Sequence, residues 1–433
     1  MIKKGSPVDE WASPIQGGKS AGKFLDLALI SANTLLARNA TRMEYPGKGG
    51  SPKDHSPAGL LVYLESQYSQ QVKVKRNRII ASRYSAGYIY LSNIAELKEA
   101  LAIVKKTGSK FAVRTTGHNP NSGFSSADMT AVPLEEQKLS AIGGRDQQVG
   151  LGGFLLGGGM GALPNLYGLG TDGVRNFEVL LADGRLVNAN ANEHADLYRV
   201  LKGGGSNYGI VTRFDLDTHP LIRVQYTINL YNPDDHEEIN KATVAVQKAM
   251  DKDPKIGLFT NFNNGFVAVG LLYGDISAEP PSAFESFYNL KSLLTTAFPT
   301  TNGTLLLLAQ AMGHTKVSQK RAIATMTTNI SQGLYEEASR WWVFTCEWPQ
   351  EGHNDAAAQQ AVYTMSEKVQ SLAEERQLLL DFKCMSFATA AQRVLRSYGP
   401  ENIRAMQKTA AKYDPEGVFQ NLQHGGFLLS NNL

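Results

Sequence analysis

Nine of the nineteen residues from 143 to 161 are glycine, and this run constrains the fold more than any other stretch of the chain. Glycine at that density costs backbone entropy on folding. A folded chain carries it where positive φ angles or close approach of main chain to a ligand demand it. Phe154, Leu155 and Leu156 interrupt the glycines, which separates the run from a flexible linker. The pattern reads as main chain wrapped around something large and flat or strongly anionic, and a nucleotide cofactor has both properties. A glycine-rich turn region without a ligand is the plainer alternative.

The 433 residues suffice for two or three domains, each with its own core. The net charge of only +3 calls for neither nucleic acid nor an anionic membrane as partner. Lys73, Lys75, Arg76 and Arg78 cluster, and Val74 among them makes an exposed edge or loop the better reading than a nucleic-acid patch. Cys346 and Cys384 are far apart and form no C-x-x-C. That excludes a disulfide scaffold and disfavours a thiolate metal site, leaving two buried free thiols as the expectation. No apolar signal region follows Lys3 and Lys4, and the apolar stretch 304–310 is far too short to span a bilayer. A soluble, cytoplasmic protein is the corresponding expectation.

Along the chain, residues 1–20 read as poorly ordered, 24–36 as a helix and 43–57 as a loop. Residues 60–64 suit a strand or a short helix, and 79–91 suit extended structure. Asn93 can cap a helix, with Glu96 in the capping-box position and Leu97, Leu101 and Val104 at helical spacing. Gly108 is its expected stop. Residues 111–113 form a short strand running into Arg114-Thr115-Thr116-Gly117-His118-Asn119. Helix, strand, then a glycine-histidine loop commonly delivers a functional loop to the end of a sheet. An ordinary polar loop histidine is the alternative for His118.

Strand 178–182, the Asp183-Gly184 turn and 185–188 read as a hairpin. A short helix over 196–201 leads into a second glycine cluster, 202–209, and then a strand over 210–216. Neither cluster is a G-x-G-x-x-G between strand and helix, so a Rossmann reading is weak. Neither cluster contains a G-K-[ST] or a G-x-S-x-G. After Pro220 glycine thins out. Strands are expected at 224–230, 256–263, 266–272 and 341–348, and helices at 240–250, 282–294, 357–380, 389–398 and 401–412.

These residues resemble the FAD-linked oxidases of the vanillyl-alcohol oxidase and berberine-bridge type, the fungal members in particular. Phe111 through His118 is similar to that family's strand and R-x-G-G-H loop. Val149-Gly150-Leu151-Gly152-Gly153 with Gly157-Gly158-Gly159-Met160-Gly161 is similar to its flavin-embracing segment. Residues 172–184, 196–212 and 413–427 resemble its D-N-V…A-D-G, D-L…G-G-G-x-N-x-G-I-V-T and C-terminal motifs. The resemblance implies an α+β fold: an FAD-binding PCMH-type domain of two α+β subdomains (79–220), preceded by 1–78. An antiparallel-sheet substrate domain (221–385) and a segment completing the FAD domain (386–433) would follow.

It implies that Arg114, Thr115, Thr116, Gly117, His118 and Asn119, with Val149, Gly150, Gly152 and Gly153, hold the FAD diphosphate. Gly158, Gly159, Gly161 and Asp172 would flank the cofactor, and Asn207, Gly209, Ile210 and Val211 would line its other side. His118 would carry a covalent bond to the flavin.

The implied reaction is hydride removal from a small organic metabolite (alcohol, amine or carbohydrate-like), with molecular oxygen as final acceptor. The protein would be a monomer or homodimer. Departures are specific. Thr116 replaces one glycine of the loop. Asp146 stands where some members have a second flavin-linking cysteine. Ser140-Ala141-Ile142 runs directly into Gly143, where the family usually has several dozen more residues, and 128–139 lacks the expected apolar strand. No motif singles out a catalytic base among Tyr226, Tyr273 and Glu347. Tyr413, Asn421 and Gln423 are further contact candidates. A non-catalytic remnant of the same fold is the alternative function. A polysaccharide-binding domain rests only on Trp341, Trp342 and Trp348.

Overall fold

The computed structural model describes residues 60–65, 88–91, 93–114, 132–147, 149–263, 265–312, 319–335, 341–349 and 355–433. The expected helix 24–36, the loop 43–57, the basic cluster 73–78 and the loop residues Thr115 to Asn119 lie outside these.

Strands β1 (Leu60–Glu65), β2 (Tyr88–Leu91) and β3 (Lys110–Arg114) form an antiparallel sheet of order β2-β1-β3. Helix α1 (Ile94–Thr107) links the last two. Its capping box is closed in both directions: Glu96 N–H donates to Asn93 Oδ1 and Asn93 Nδ2 donates to Glu96 Oε1, each at 3.0 Å. Gly108 ends the helix in the left-handed region at φ 65°. Leu97, Leu101 and Val104 pack on Phe111, Leu180, Ile210 and Phe419, so this one helix joins three parts of the chain.

A two-stranded ribbon, β4 (Leu139–Ser140) with β8 (His219–Pro220), brackets the glycine-rich region. Residues 132–136, where a strand was missing, form a short helix. Helix α2 (Leu151–Leu156) lies inside the glycine run. Next come β5 (Val174–Leu180), β6 (Leu186–Asn190), α3 (Ala195–Leu201) and β7 (Ile210–Leu216), the strands in order β6-β5-β7.

A four-stranded antiparallel sheet follows, of order β10-β11-β9-β12: β9 (Arg223–Tyr231), β10 (Ile256–Asn263), β11 (Phe266–Tyr273) and β12 (Leu293–Thr304). Helix α4 (His236–Met250) covers one face through Ile239, Ala242 and Val246, against Val267, Val269 and Leu271. The other face presents Val224, Tyr226 and Leu272 to Leu163, Ile222 and Leu308, toward the glycine-rich region. Strand β13 (Gln319–Thr328) pairs with β14 (Trp341–Pro349) and β15 (Leu379–Leu380), covered by α5 (Asp355–Glu375).

Helix α6 (Pro400–Tyr413) packs on α3. The tail then returns to β3. Phe111 N–H donates to Leu422 O at 2.9 Å and His424 N–H to Phe111 O at 2.6 Å.

One expected helix is cut short and another is absent. Over 282–294 the chain is helical only as far as Tyr288, a 3-10 turn Ser282–Phe284 running into Glu285–Tyr288, and β12 starts at Leu293. Its threonines favour extended backbone, and β9 supplies the ladder partner. Over 389–398 only the 3-10 turn Leu395–Tyr398 forms. Gln392 pins that segment to β13: Oε1 accepts from Thr325 N at 3.0 Å and Nε2 donates to Thr325 O at 2.7 Å. Helix α5 stops at Glu375, short of 380, because Gln377 turns left-handed (φ 57°) and Leu378 N–H closes back on Ala373 O at 2.8 Å. Neither cysteine forms a disulfide among the described residues. Cys384 is buried but Cys346 is only half-buried, since β14 is an edge strand.

Asp196 clamps α3 to α6. It accepts from Lys412 Nζ at 2.6 Å, Tyr413 OH at 2.8 Å and Leu197 N at 3.0 Å. Burial pushes its pKa up, but these bonds together outweigh burial and the net shift is downward. A depressed carboxylate pKa gives stability that is present above the unfolded value of about 3.9 and is lost as pH falls through the folded value. The Asp196→Asn variant is therefore expected to lose about 0.5–1 kcal/mol at pH 7, the range of partly exposed pairs. The gap to the parent should narrow as pH falls below the unfolded value of about 3.9 and through the lower folded one. Urea unfolding at pH 7 and at low pH measures this, and an unchanged gap at low pH would refute it.

Candidate cofactor site

The run begins with the turn 143–149, in which Val149 N–H donates to Asp146 O at 3.0 Å. The short connection at Ile142-Gly143 enters here directly. A Cβ built on Gly161 would lie 3.1 Å from Ile142 Cγ2, so the connection packs on the glycines themselves. Helix α2 starts at Gly150 with no side chain capping it. Among the described residues, no acceptor meets the N–H groups of Gly150, Leu151, Gly152 and Gly153. Gly158 (φ 95°) and Gly159 (φ 78°) then turn the chain into an arch. The arch is stapled to the next turn: Gly170 N–H donates to Gly159 O at 2.7 Å and Thr171 N–H to Gly158 O at 3.0 Å. Gly205 N–H donates to Leu156 O at 3.0 Å, which draws in the second glycine cluster.

Part of the glycine content serves protein packing. Cβ atoms on Gly159 and Gly170 would lie 2.8 and 2.4 Å from the buried Phe154 ring. One on Gly209 would lie 2.5 Å from Val179 Cγ1. Gly158 is different: only Leu169 Cδ1 comes near its Cβ position, at 3.6 Å, so its positive φ is what requires glycine.

Other expected site residues are committed to the protein. Asn207 is fully buried. Its Nδ2 donates to Gly204 O (2.7 Å) and Phe427 O (2.9 Å), and its Oδ1 accepts from Leu429 N and Gln420 Nε2, both at 2.9 Å. That uses every donor and acceptor of the side-chain amide. Ile210 packs against α1, and Val211 against the core beneath β5. Asp172 Oδ2 accepts from Leu169 N at 2.8 Å. Tyr413 is held by Asp196. Gln423 donates to Ser206 Oγ at 2.6 Å, and Asn421 O accepts from Lys110. Tyr226 is 5% exposed on the sheet face toward the glycines, and burial raises its pKa. Tyr273 lies below Lys255, whose Nζ is 5.9 Å from the ring centroid. The side chains of Glu347, Trp341, Trp342 and Trp348 lie outside the described residues.

Among the described residues, the buried hydroxyls of Thr171 and Tyr208 have no hydrogen-bond partner, as do those of Ser292, Thr325 and Thr327 in the segment after Pro220. Thr171 belongs to the turn stapled to the arch. Tyr208 OH lies 2.9 Å from where a Cβ on Gly204 would stand. Unpartnered buried hydroxyls are costly, and that of Thr171, in the turn hydrogen-bonded to the arch, fits a polar ligand. The residues present thus suit the diphosphate and ribityl portion of a dinucleotide. A cavity of about 160 Å³ opens beside the arch, lined by Ile142, Tyr167, Gly170, Asp172, Gly173, Leu216, Asp217 and His219. Ordinary ligand pockets hold roughly 300–1,000 Å³, so this one takes only part of such a ligand.

Sequence reasoning passed over Arg145. It sits in the turn 143–149, with its Cζ 5.0 Å from the centroid of the Phe387 ring. A charged side chain amid nine glycines was the available signal. Among the described residues, no group of three His, Cys, Asp or Glu could hold a metal, and no helix is long and apolar enough to cross a membrane.

No family model matches the chain. An FAD-dependent monooxygenase of Arthrobotrys oligospora is 30% identical over 416 residues, covering 78% of this chain and 81% of the relative. The chain belongs to the vanillyl-alcohol oxidase and berberine-bridge family of FAD-linked oxidoreductases. An FAD-dependent monooxygenase of Penicillium terrestre is 26% identical over 78% of the chain and 80% of its own length. In fold, this flavoprotein is similar to 6-hydroxy-D-nicotine oxidase of Arthrobacter nicotinovorans, with TM-score 0.65 and 14% identity over 85% of this chain and 98% of that one. It is equally similar to a berberine-bridge-like protein of Physcomitrella patens, with TM-score 0.65 and 17% identity over 91% and 100%. The flavoprotein is α+β, its cofactor is FAD, and it is an FAD-dependent oxidoreductase.

Proposed function

We propose that this flavoprotein oxidises a small organic metabolite by removing hydride from a carbon that bears oxygen or nitrogen, with molecular oxygen as final acceptor. The observation that carries the reading is the arch at 157–161, preceded by N–H groups at 150–153 that meet no acceptor among the described residues, with the orphan hydroxyl of Thr171 in the turn hydrogen-bonded to the arch. When bound, FAD supplies the two-electron acceptor. The loop 114–119 and the N–H groups of Gly150, Gly152 and Gly153 hold its diphosphate. Val149 backs that turn, and Gly158, Gly159, Gly161 and Asp172 shape the passage. Gly209, Ile210 and Val211 form a rigid rear wall, and Asn207 acts indirectly by fastening the tail. Residues 221–385 act as the substrate domain, whose sheet face bearing Tyr226 closes over the site. Burial keeps the Tyr226 phenol protonated at neutral pH, so it donates a hydrogen bond rather than accepting a proton.

The purified protein should show flavin absorbance bands and lose them on addition of a reducing alcohol or amine substrate in the absence of oxygen. Absence of those bands even after FAD is supplied would sink the reading. His118 is assigned the covalent bond to the flavin. Its imidazole has a reference pKa of about 6.5, so a useful neutral fraction is present at cellular pH. Acid precipitation should give a yellow pellet from the parent and a colourless one from His118→Ala. A colourless parent pellet, with all flavin in the supernatant, rejects the bond.

A further inference from the structure

Arg145 has no carboxylate partner among the described residues. Protein surrounds its guanidinium closely enough for burial to lower its pKa, yet the residue keeps an accessible edge. Its neighbours are the Phe387 ring and the Cys384 thiol. Cys384 is 2% exposed and burial raises its pKa, so the thiol stays neutral and offers no counter-charge. Arginine remains protonated in proteins, and a buried charge without a partner is costly for a fold to retain. The ring covers one face of the guanidinium. Among the described residues, no acceptor takes its in-plane N–H groups, whose fork suits a two-oxygen acceptor.

The surroundings locate that acceptor. Phe387 ends the 3-10 turn Met385–Phe387. The same turn packs on the arch: a Cβ on Gly157 would lie 3.2 Å from Ser386 Oγ and 3.5 Å from Met385 Cβ. The guanidinium therefore stands at the foot of the arch, where the turn 143–149 meets the turn at 385–387. A row of main-chain N–H groups suits a phosphate. A single planar cation laid on a ring suits a planar oxyanion attached to an apolar body.

We propose that Arg145 and Phe387 form a recognition site for a planar organic oxyanion, a carboxylate or an enolate, carried by the substrate. The inference rests on the oxidoreductase reading above and narrows its substrate to molecules that bear such a group. Benzoate and benzyl alcohol are the probes, because they share a ring and differ in charge. Binding is read at pH 7 on the holoprotein from the flavin spectrum. It is also read from the rise in thermal unfolding midpoint, which needs no flavin.

The parent is expected to bind benzoate at least tenfold more tightly than benzyl alcohol. Arg145→Met should abolish that preference and keep its flavin. Arg145→Lys keeps a cation but not the fork, and should bind benzoate several-fold more weakly than the parent. Equal binding of the two probes by the parent overturns the proposal. So does an Arg145→Met protein that folds but has lost its flavin, which assigns the guanidinium to the oxyanions of the cofactor. If Arg145→Met fails to fold, Phe387→Ala decides with Arg145→Lys: weaker benzoate binding with flavin retained supports the site, and unchanged binding overturns it. A parent that is stabilised by benzoate yet never takes up FAD upholds the site and rejects the oxidoreductase reading.

Discussion

Replacement of Asn207 by alanine is expected to destabilise the protein by several kcal/mol, because three buried main-chain groups lose the side-chain amide at roughly 1–3 kcal/mol each. Those groups are Gly204 O, Phe427 O and Leu429 N, the last two in the C-terminal tail. Gln420 Nε2 loses the Oδ1 acceptor at 2.9 Å but keeps the Asn207 main-chain oxygen at 3.1 Å. Asn207 is 0% exposed, so water cannot easily replace the amide. The tail should detach before the rest unfolds. Limited proteolysis should then remove residues beyond about 424 in Asn207→Ala at temperatures where the parent resists. Urea denaturation gives the total. A loss below 1 kcal/mol would mean that the four bonds contribute little beyond what water supplies, and that the tail is held by Phe427 and Leu429 packing in the core.

Gly158→Val is expected to abolish flavin retention while the four-stranded sheet stays folded. Gly158 has φ 95°, where a β-branched residue is a steric outlier. Even an unbranched side chain there costs roughly 1–3 kcal/mol. The strain is relieved by moving the arch away from Thr171 and Gly170, which opens the cradle. Gly184 is the control. It also has a positive φ, 85°, but closes the hairpin between β5 and β6 with open space at its Cβ position. Gly184→Ala should cost about 1 kcal/mol and leave the flavin in place. Flavin content per protein, read from absorbance after purification, separates the two. Equal flavin loss in both variants would show that the arch makes no specific contact with the cofactor.

Features that depend on a few adjacent residues were legible in the chain alone. The Asn93–Glu96 capping box, the left-handed stop at Gly108, the strand Ile210–Leu216 and the hairpin around Gly265 are all local. So was the family, because its motifs are short and dense in glycine, where substitution is sterically forbidden. Strand β12 and the irregular 389–398 segment were not legible. One is extended because β9 pairs with it, and the other is held by Gln392 against β13. The site divides in the same way. Positive φ at Gly158 and Gly159 follows from the glycine run. That Gly159 and Gly170 make room for Phe154, that Asn207 holds the tail, and that Arg145 meets the Phe387 ring were decided by tertiary packing. Asn207 and Leu429 are 222 residues apart, and Arg145 and Phe387 are similarly distant. No periodicity or spacing records such a meeting. It exists only once burial has brought the two segments together and removed water as the alternative partner.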